Sequence, residues 1–263
     1  MDWIEVNGTS LRYDLTGSGE TTLVLVHEMG GTLESWDQVL PTLAQHRRVL
    51  RYDTRGAGQS EKIRGTVTFD TMANDLAALL DALVIAGKVA LAGCAVGAGI
   101  VLHFAARFPD RAAALVAMAP ATGVTSDRRA ATIARAEAME RTGPRGIVEQ
   151  SFAASYPPEV RHDAEQFRRF RARWLANDPE SFGAINRMLA DATVIDELPS
   201  IACPTLLLAG THDRLRPPSL VESLARTMPN AQFQALETGH FMTTQTPEIV
   251  AAAMQNFLQS IGQ

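Results

Sequence analysis

Residues 89–99 read Val-Ala-Leu-Ala-Gly-Cys-Ala-Val-Gly-Ala-Gly, or "VALAGCAVGAG". An apolar run enters a turn bounded by Gly93 and Gly97, and small residues follow. The pattern predicts a buried strand, a tight turn and then a helix. Glycines belong where a turn is strained or where two backbones pass closely. The residue at the centre of this turn is Ala95, whose methyl group brings no reactive atom.

The same punctuation repeats along the chain. "TLVLVH" (22–27), "RVLRYD" (48–53), "KVALAG" (88–93), "ALVAMAP" (114–120) and "TLLLAG" (205–210) are largely apolar runs, as fully buried parallel strands should be. "AQFQALE" (231–237) reads as a last strand. "WIEV" and "LRYDLTG" flank Asn7-Gly8, a hairpin signal that predicts an antiparallel start to the sheet. Helical periodicity fills residues 34–45, 70–85, 96–108, 218–227 and 246–260. Strands alternating with helices predict a mostly parallel sheet of about eight strands with helices on both faces.

Residues 122–199 break the alternation. They hold helical patterns, scattered prolines, 11 arginines and 12 acids, and no strand pattern. They are expected to form a helical cap inserted into a core made of residues 1–121 and 200–263. A cap over the carboxyl ends of parallel strands would roof a ligand pocket.

Composition narrows the classes. The chain of 263 residues is 46% hydrophobic with a net charge of −5, against disorder and against nucleic-acid binding by charge. The 22 arginines against two lysines read as a compositional bias of the source rather than a binding signal. No apolar run reaches the roughly 18–20 residues of a membrane span, and the start lacks the signature of a secretory signal. A cytoplasmic protein acting on a small molecule, with no nucleic-acid or membrane partner and no cofactor, is the expectation. Cys94 and Cys203, both in apolar runs, suggest neither a disulfide framework nor a metal site.

The order of elements and four motifs resemble the α/β-hydrolase family, over nearly the whole chain. Gly93-Cys94-Ala95-Val96-Gly97 matches its G-x-S-x-G elbow except at the nucleophile position, Ala95. His27-Glu28-Met29-Gly30-Gly31 resembles its oxyanion loop, and Asp53-Thr54-Arg55-Gly56-Ala57-Gly58-Gln59-Ser60 a structural loop of the family. Gly210-Thr211-His212-Asp213 resembles the turn that carries the acid, and Gly239-His240-Phe241 the loop of the catalytic histidine. The helical cap and "RYDTRGAGQSE" are most similar to small esterases and lactonases of the 3-oxoadipate enol-lactonase type.

The resemblance implies roles. Asp213 would orient and charge-stabilise His240. The backbone N–H groups of Glu28 and Val96 would form the oxyanion hole. His27, Met29, Phe241 and, from the cap, Trp174, Arg169 and Arg173 are the expected substrate contacts. Arg169 and Arg173 lie beside an aromatic stripe (Phe167, Phe170, Trp174) and are candidates to hold a substrate carboxylate. The Glu28 carboxylate faces either solvent or substrate. Cys94, beside the elbow centre, points away and is expected to be inert. No metal site is implied.

Ala95 leaves two readings open. It replaces a catalytic serine by design, or it is native to a site that keeps a histidine base and an oxyanion hole. The expected activity is cleavage of an ester or lactone bond in a small, possibly carboxylated molecule. The alternatives are a lyase or cofactor-independent oxygenase driven by His240, and a non-catalytic ligand-binding protein.

Overall fold

The computed structural model describes residues 1–263. Eight strands form one sheet: β1 (Asp2–Val6), β2 (Thr9–Thr16), β3 (Thr22–Val26), β4 (Arg48–Tyr52), β5 (Val89–Cys94), β6 (Ala112–Met118), β7 (Thr205–Gly210) and β8 (Ala231–Leu236). Their spatial order is β1-β2-β4-β3-β5-β6-β7-β8. The β1–β2 and β2–β4 pairs are antiparallel and the remaining five are parallel. Asn7 and Gly8 both have positive φ (47° and 69°), which a two-residue hairpin with this twist requires. The central strands β3, β5 and β7 are buried at every residue, so no alternation is left for them to show.

The helices are α1 (Leu40–Leu43), α2 (Phe69–Ala82), α3 (Val96–Arg107), α4 (Ser126–Ser155), α5 (Ala164–Leu175), α6 (Pro179–Ala190), α7 (Pro218–Ala225), α8 (Met242–Gln245) and α9 (Pro247–Ser260). The expected helix over 34–45 does not form as one piece. A 3₁₀ turn (Leu33–Trp36) and the single turn α1 replace it. Pro41 explains the break: it lacks an N–H and disfavours helix at the preceding residue, so it sits where α1 starts.

Two apolar layers flank the sheet. One buries α2 and α3 against Val24, Leu50 and Leu91. The other buries α9 and Trp36 against Leu25, Val49 and Val116. Between β6 and β7 the chain runs through α4, α5 and α6 with no strand. Their apolar faces form a third cluster around Phe152, Tyr156, Phe170 and Trp174, which reaches Phe241 after β8. No helix is long and apolar enough to cross a membrane.

The helix α4 is broken at Gly143, whose φ and ψ of 67° and 178° lie outside the helical region. A straight helix would put Arg135 and Ser151 about 24 Å apart. Their side chains hydrogen-bond at 3.0 Å, so the break folds the two arms of α4 against each other.

The strand–turn–helix at β5 and α3 is closed by contact. A Cβ added at Gly93 would overlap the carbonyl oxygen of Gly97, and one added at Gly97 would overlap that of Val26 in β3. Gly97→Ala is therefore expected to destabilise the fold by about 3 kcal/mol or more, since backbone cannot retreat as a flexible side chain can. Denaturant unfolding measures it. A loss below about 1 kcal/mol would show that the two chains have room to spare.

Candidate active site

The turn centre, Ala95, has φ 51° and ψ −110°, a conformation an L-residue adopts only when its surroundings impose it. Three backbone bonds do so here. Ala95 N–H donates to Met118 O (2.8 Å), and Ala95 O accepts from Gly99 N–H (3.1 Å) and Ala121 N–H (3.0 Å). The turn is thus locked to the end of β6 and to the first turn of α3. The strain is worth about 1–3 kcal/mol, which the surrounding packing offsets.

His240 and Asp213 come from loops after β8 and β7, 27 residues apart, and meet at 2.7 Å. Asp213 is 3% exposed and His240 7%. Burial raises the Asp213 pKa, but the His240 charge and hydrogen bond and the N–H groups of Arg216 and Leu215 outweigh it. The net shift is below the usual carboxylate range. Asp213 Oδ1 accepts from Leu215 N–H (2.8 Å) and Arg216 N–H (3.0 Å), which leaves Oδ2 aimed at His240. An ionised carboxylate only accepts, so His240 Nδ1 carries the proton. Nε2 has no partner in the protein and is free to take one.

Arg216 supports this turn in a way its sequence context does not announce. Its guanidinium donates to Pro120 O and Gly123 O, each at 3.2 Å, and so ties the acid turn to the loop after β6. Nothing in the run Arg214-Leu215-Arg216 distinguishes it beforehand, because the acceptors are backbone carbonyls about 93–96 residues away.

The backbone N–H groups of Glu28 and Val96 have no acceptor in the protein. Both residues line one pocket with His27, Met29, Gly30 and Ile100. That pocket has about 10 Å³ of free space, room for roughly one water. Two amides without a protein acceptor beside one small pocket are rare in folded proteins and mark a place for an acceptor atom.

The Glu28 side chain takes neither orientation expected for it. It is 1% exposed, and its Oε1 accepts from the Ser35 hydroxyl at 2.8 Å, beneath Gly31. A Cβ at Gly31 would overlap this carboxylate, so the glycine makes its berth. Oε2 is buried without a partner.

The expected substrate contacts separate into groups. His27 is a brace: Thr54 N–H donates to its Nε2 (3.0 Å), so Nδ1 carries the proton and donates to Glu28 O (2.7 Å). Both ring nitrogens are spent on backbone, and the bonds hold the loop whose next N–H is free. Met29 lines the pocket, with its sulfur accepting from Asn186 Nδ2 at 3.6 Å. Trp174 is 2% exposed and lies over Gly30, so close that a Cβ there would come within 2.6 Å of its Nε1. Phe241 packs on Phe170 (ring centroids 4.7 Å apart) and on His240 (5.3 Å).

The structure separates the arginine pair. The Arg169 side chain is 71% exposed and bonds Glu165 at 2.8 Å, one turn away on the same solvent face of α5. Arg173 is half-buried and forms no ion pair or hydrogen bond. The buried face of α5 is taken by Phe170 and Trp174. Cys94 is buried, its thiol donates to His240 O at 3.4 Å, and burial, with Glu28 and Asp213 nearby, pushes its pKa up. A thiol held neutral this way is no nucleophile.

The fold and these motifs define a class. Residues 21–244 match the model of the alpha/beta hydrolase fold family, and the chain belongs to it. Among its relatives, the RutD protein of Stutzerimonas stutzeri, which carries the name of a carbamate hydrolase, is 31% identical over 87% of this chain and 89% of its own. The 3-oxoadipate enol-lactonase 1 of Acinetobacter baylyi is 28% identical over 97% and 95%. A solved thermophilic esterase of Thermogutta terrifontis with malate bound superposes with a TM-score of 0.94 at 29% identity, covering all of both chains.

The Asp213–His240 pair makes a pH-dependent contribution to stability. A carboxylate with a depressed folded-state pKa stabilises above its unfolded pKa of about 3.9, and that stabilisation is lost as pH falls through the folded value. Asp213→Asn should therefore unfold more easily than the unaltered chain at pH 7, with the gap closing below about pH 4. Denaturant titrations across pH 2.5–7 test this, and a gap that widens in acid contradicts it.

Proposed function

We propose that the chain binds a small ester or lactone at the space between Ala95, His240 and the free amides of Glu28 and Val96. In this reading the carbonyl oxygen of the substrate accepts from both amides, and the scissile carbon lies between them and His240. The observation that carries the reading is the pair of acceptorless N–H groups on two separate elements whose residues line one pocket, one of them next in the chain to Ala95. A pair of preorganised donors stabilises an oxyanion as it develops. The names of the relatives, an enol-lactonase and an esterase among them, support an ester-like bond as the target.

Ala95 sets how far the chemistry goes. A serine at this position would attack the carbonyl while His240 Nε2 takes its proton, giving an acyl-enzyme. With a methyl group there, no covalent route exists. His240 is left to deprotonate a water, whose oxygen attacks the carbonyl. The tetrahedral oxyanion then collapses with loss of the alcohol, which regains the proton from His240. That route is slow, because sites stripped of their nucleophile keep only about 10³–10⁴-fold acceleration over water in a well-studied protease. The chain as it stands is a binding site with weak general-base hydrolysis.

Ala95→Ser is the test. The variant should cleave aryl esters or enol-lactones faster than the unaltered chain by about two orders of magnitude or more, and react with a fluorophosphonate probe at residue 95 by intact mass. A folded variant that neither labels nor gains activity would overturn the reading.

A further inference from the structure

His240 is held by more than its acid. Asp213 fixes the ring, and the Cys94 thiol at the end of β5 donates to the backbone carbonyl at 3.4 Å. A further hold reaches the same loop from α4, and it runs through Gln245. This residue ends α8, the single turn that starts two residues after His240, and it is 4% exposed. Its backbone N–H donates to Phe241 O at 2.9 Å. Its side-chain amide folds back on Gly239, where an added Cβ would come within 2.7 Å of Oε1 and 2.9 Å of Nε2. Gln245 therefore lies against the residue before His240 and is bonded to the residue after it.

The far side of the amide faces another element. Nε2 donates to Ser155 O at 3.0 Å in a buried bond. Ser155 is the last residue of α4, where helix carbonyls lack a donor from their own helix. Neighbouring contacts join the same two bodies. The Gln166 side chain of α5 donates to Thr244 O, and Phe241 packs on Tyr156, the residue after Ser155, with ring centroids 6.3 Å apart.

Packing alone does not explain an amide here. Gln245 Oε1 is buried with no partner, which costs stability, and methionine would fill the same volume without that oxygen. Folded proteins satisfy most buried polar atoms, so a half-satisfied amide marks a bond that is kept in spite of its cost.

We propose that Gln245 is a positioning residue for His240. By tying Gly239 and Phe241 to the end of α4, it keeps the imidazole seated on Asp213 with Nε2 where a proton is to be taken. Gln245 acts through the histidine loop and touches no substrate. The inference rests on the reading of His240 as the base of an ester site and adds the group that holds this base in place. The sequence does not announce it, because the acceptor is a backbone carbonyl 90 residues away.

Two measurements test the link. Gln245→Met removes the bond and keeps the volume. Ser155→Ala is the control, since its hydroxyl bonds Ser151 O (2.8 Å) rather than Gln245, so the change disturbs the same helix end without cutting the link. The first measurement is proton NMR of the His240 Nδ1–H in the chain with Ala95, assigned by its loss in Asp213→Asn. Exchange of this proton with water should quicken about tenfold or more in Gln245→Met and stay unchanged in Ser155→Ala. A merely structural role would lower the melting temperature and leave exchange in the folded chain alone. Gln245→Asn keeps the amide but falls one methylene short of Ser155 O; it should show the same faster exchange, and it replaces Gln245→Met if that variant does not fold.

The second measurement is aryl-ester kinetics in the Ala95→Ser background, counted per site labelled by fluorophosphonate. There Gln245→Met should lower kcat about tenfold or more with KM within about twofold, because a misplaced base weakens the transition state and not substrate binding. Unchanged exchange in Gln245→Met, or faster exchange with an unchanged kcat per labelled site, overturns the proposal. If Ala95→Ser neither labels nor turns over, the ester reading fails, and the exchange measurement decides the link between α4 and His240 by itself.

Discussion

The close approach of α3 to the end of β3 is the contact on which the rest of the molecule depends. Gly97 has no side chain, so the first turn of α3 can rest against the carbonyl of Val26, and the register Val26↔Gly93 sets that height across the sheet. From this contact follow the bent conformation of Ala95, the exposure of the Val96 amide at a helix start, and the position of the His27–Glu28 loop directly across from it. Hydrogen bonds to Met118 O and from the N–H groups of Gly99 and Ala121 then hold Ala95 in a conformation it would not choose. Strain of this kind persists where a site needs its geometry fixed in advance.

Around that turn the polar groups are arranged in depth. The backbone braces His27, and Asp213 with its two amide donors fixes His240. Arg216 in turn binds the acid turn to the loop after β6. The aromatic cluster of α4, α5 and α6 packs on Phe241, which in turn lies against the His240 ring.

Strand positions and motif order are legible in the sequence because both are local. A fully buried parallel strand must be apolar throughout, and glycine-bounded turns must follow it; β5, α3 and the turn between them are found within a residue or two. The Asp213–His240 contact is legible only through the family resemblance, since no local signal joins two loops 27 residues apart. The failures have physical causes of the same kind. One proline divides residues 34–45, a local effect weighed too lightly against periodicity. The berth of Glu28 is made by Ser35 and Gly31, and nothing in the tripeptide around it forecasts burial. Arg169 and Arg173 share a helical face with each other, but which face of α5 is buried is decided by Phe170 and Trp174 packing on α4 and Phe241.

The central claim is that the amides of Glu28 and Val96 hold the carbonyl oxygen of an ester beside His240. It is tested most directly by a crystal structure of the unaltered chain with a small ester bound intact, for which the missing nucleophile is an advantage. The account predicts the ester carbonyl oxygen about 3 Å from both amide nitrogens, with its carbon facing His240 Nε2. An ester bound with its carbonyl turned away from those two amides, or bound elsewhere in the fold, would contradict it.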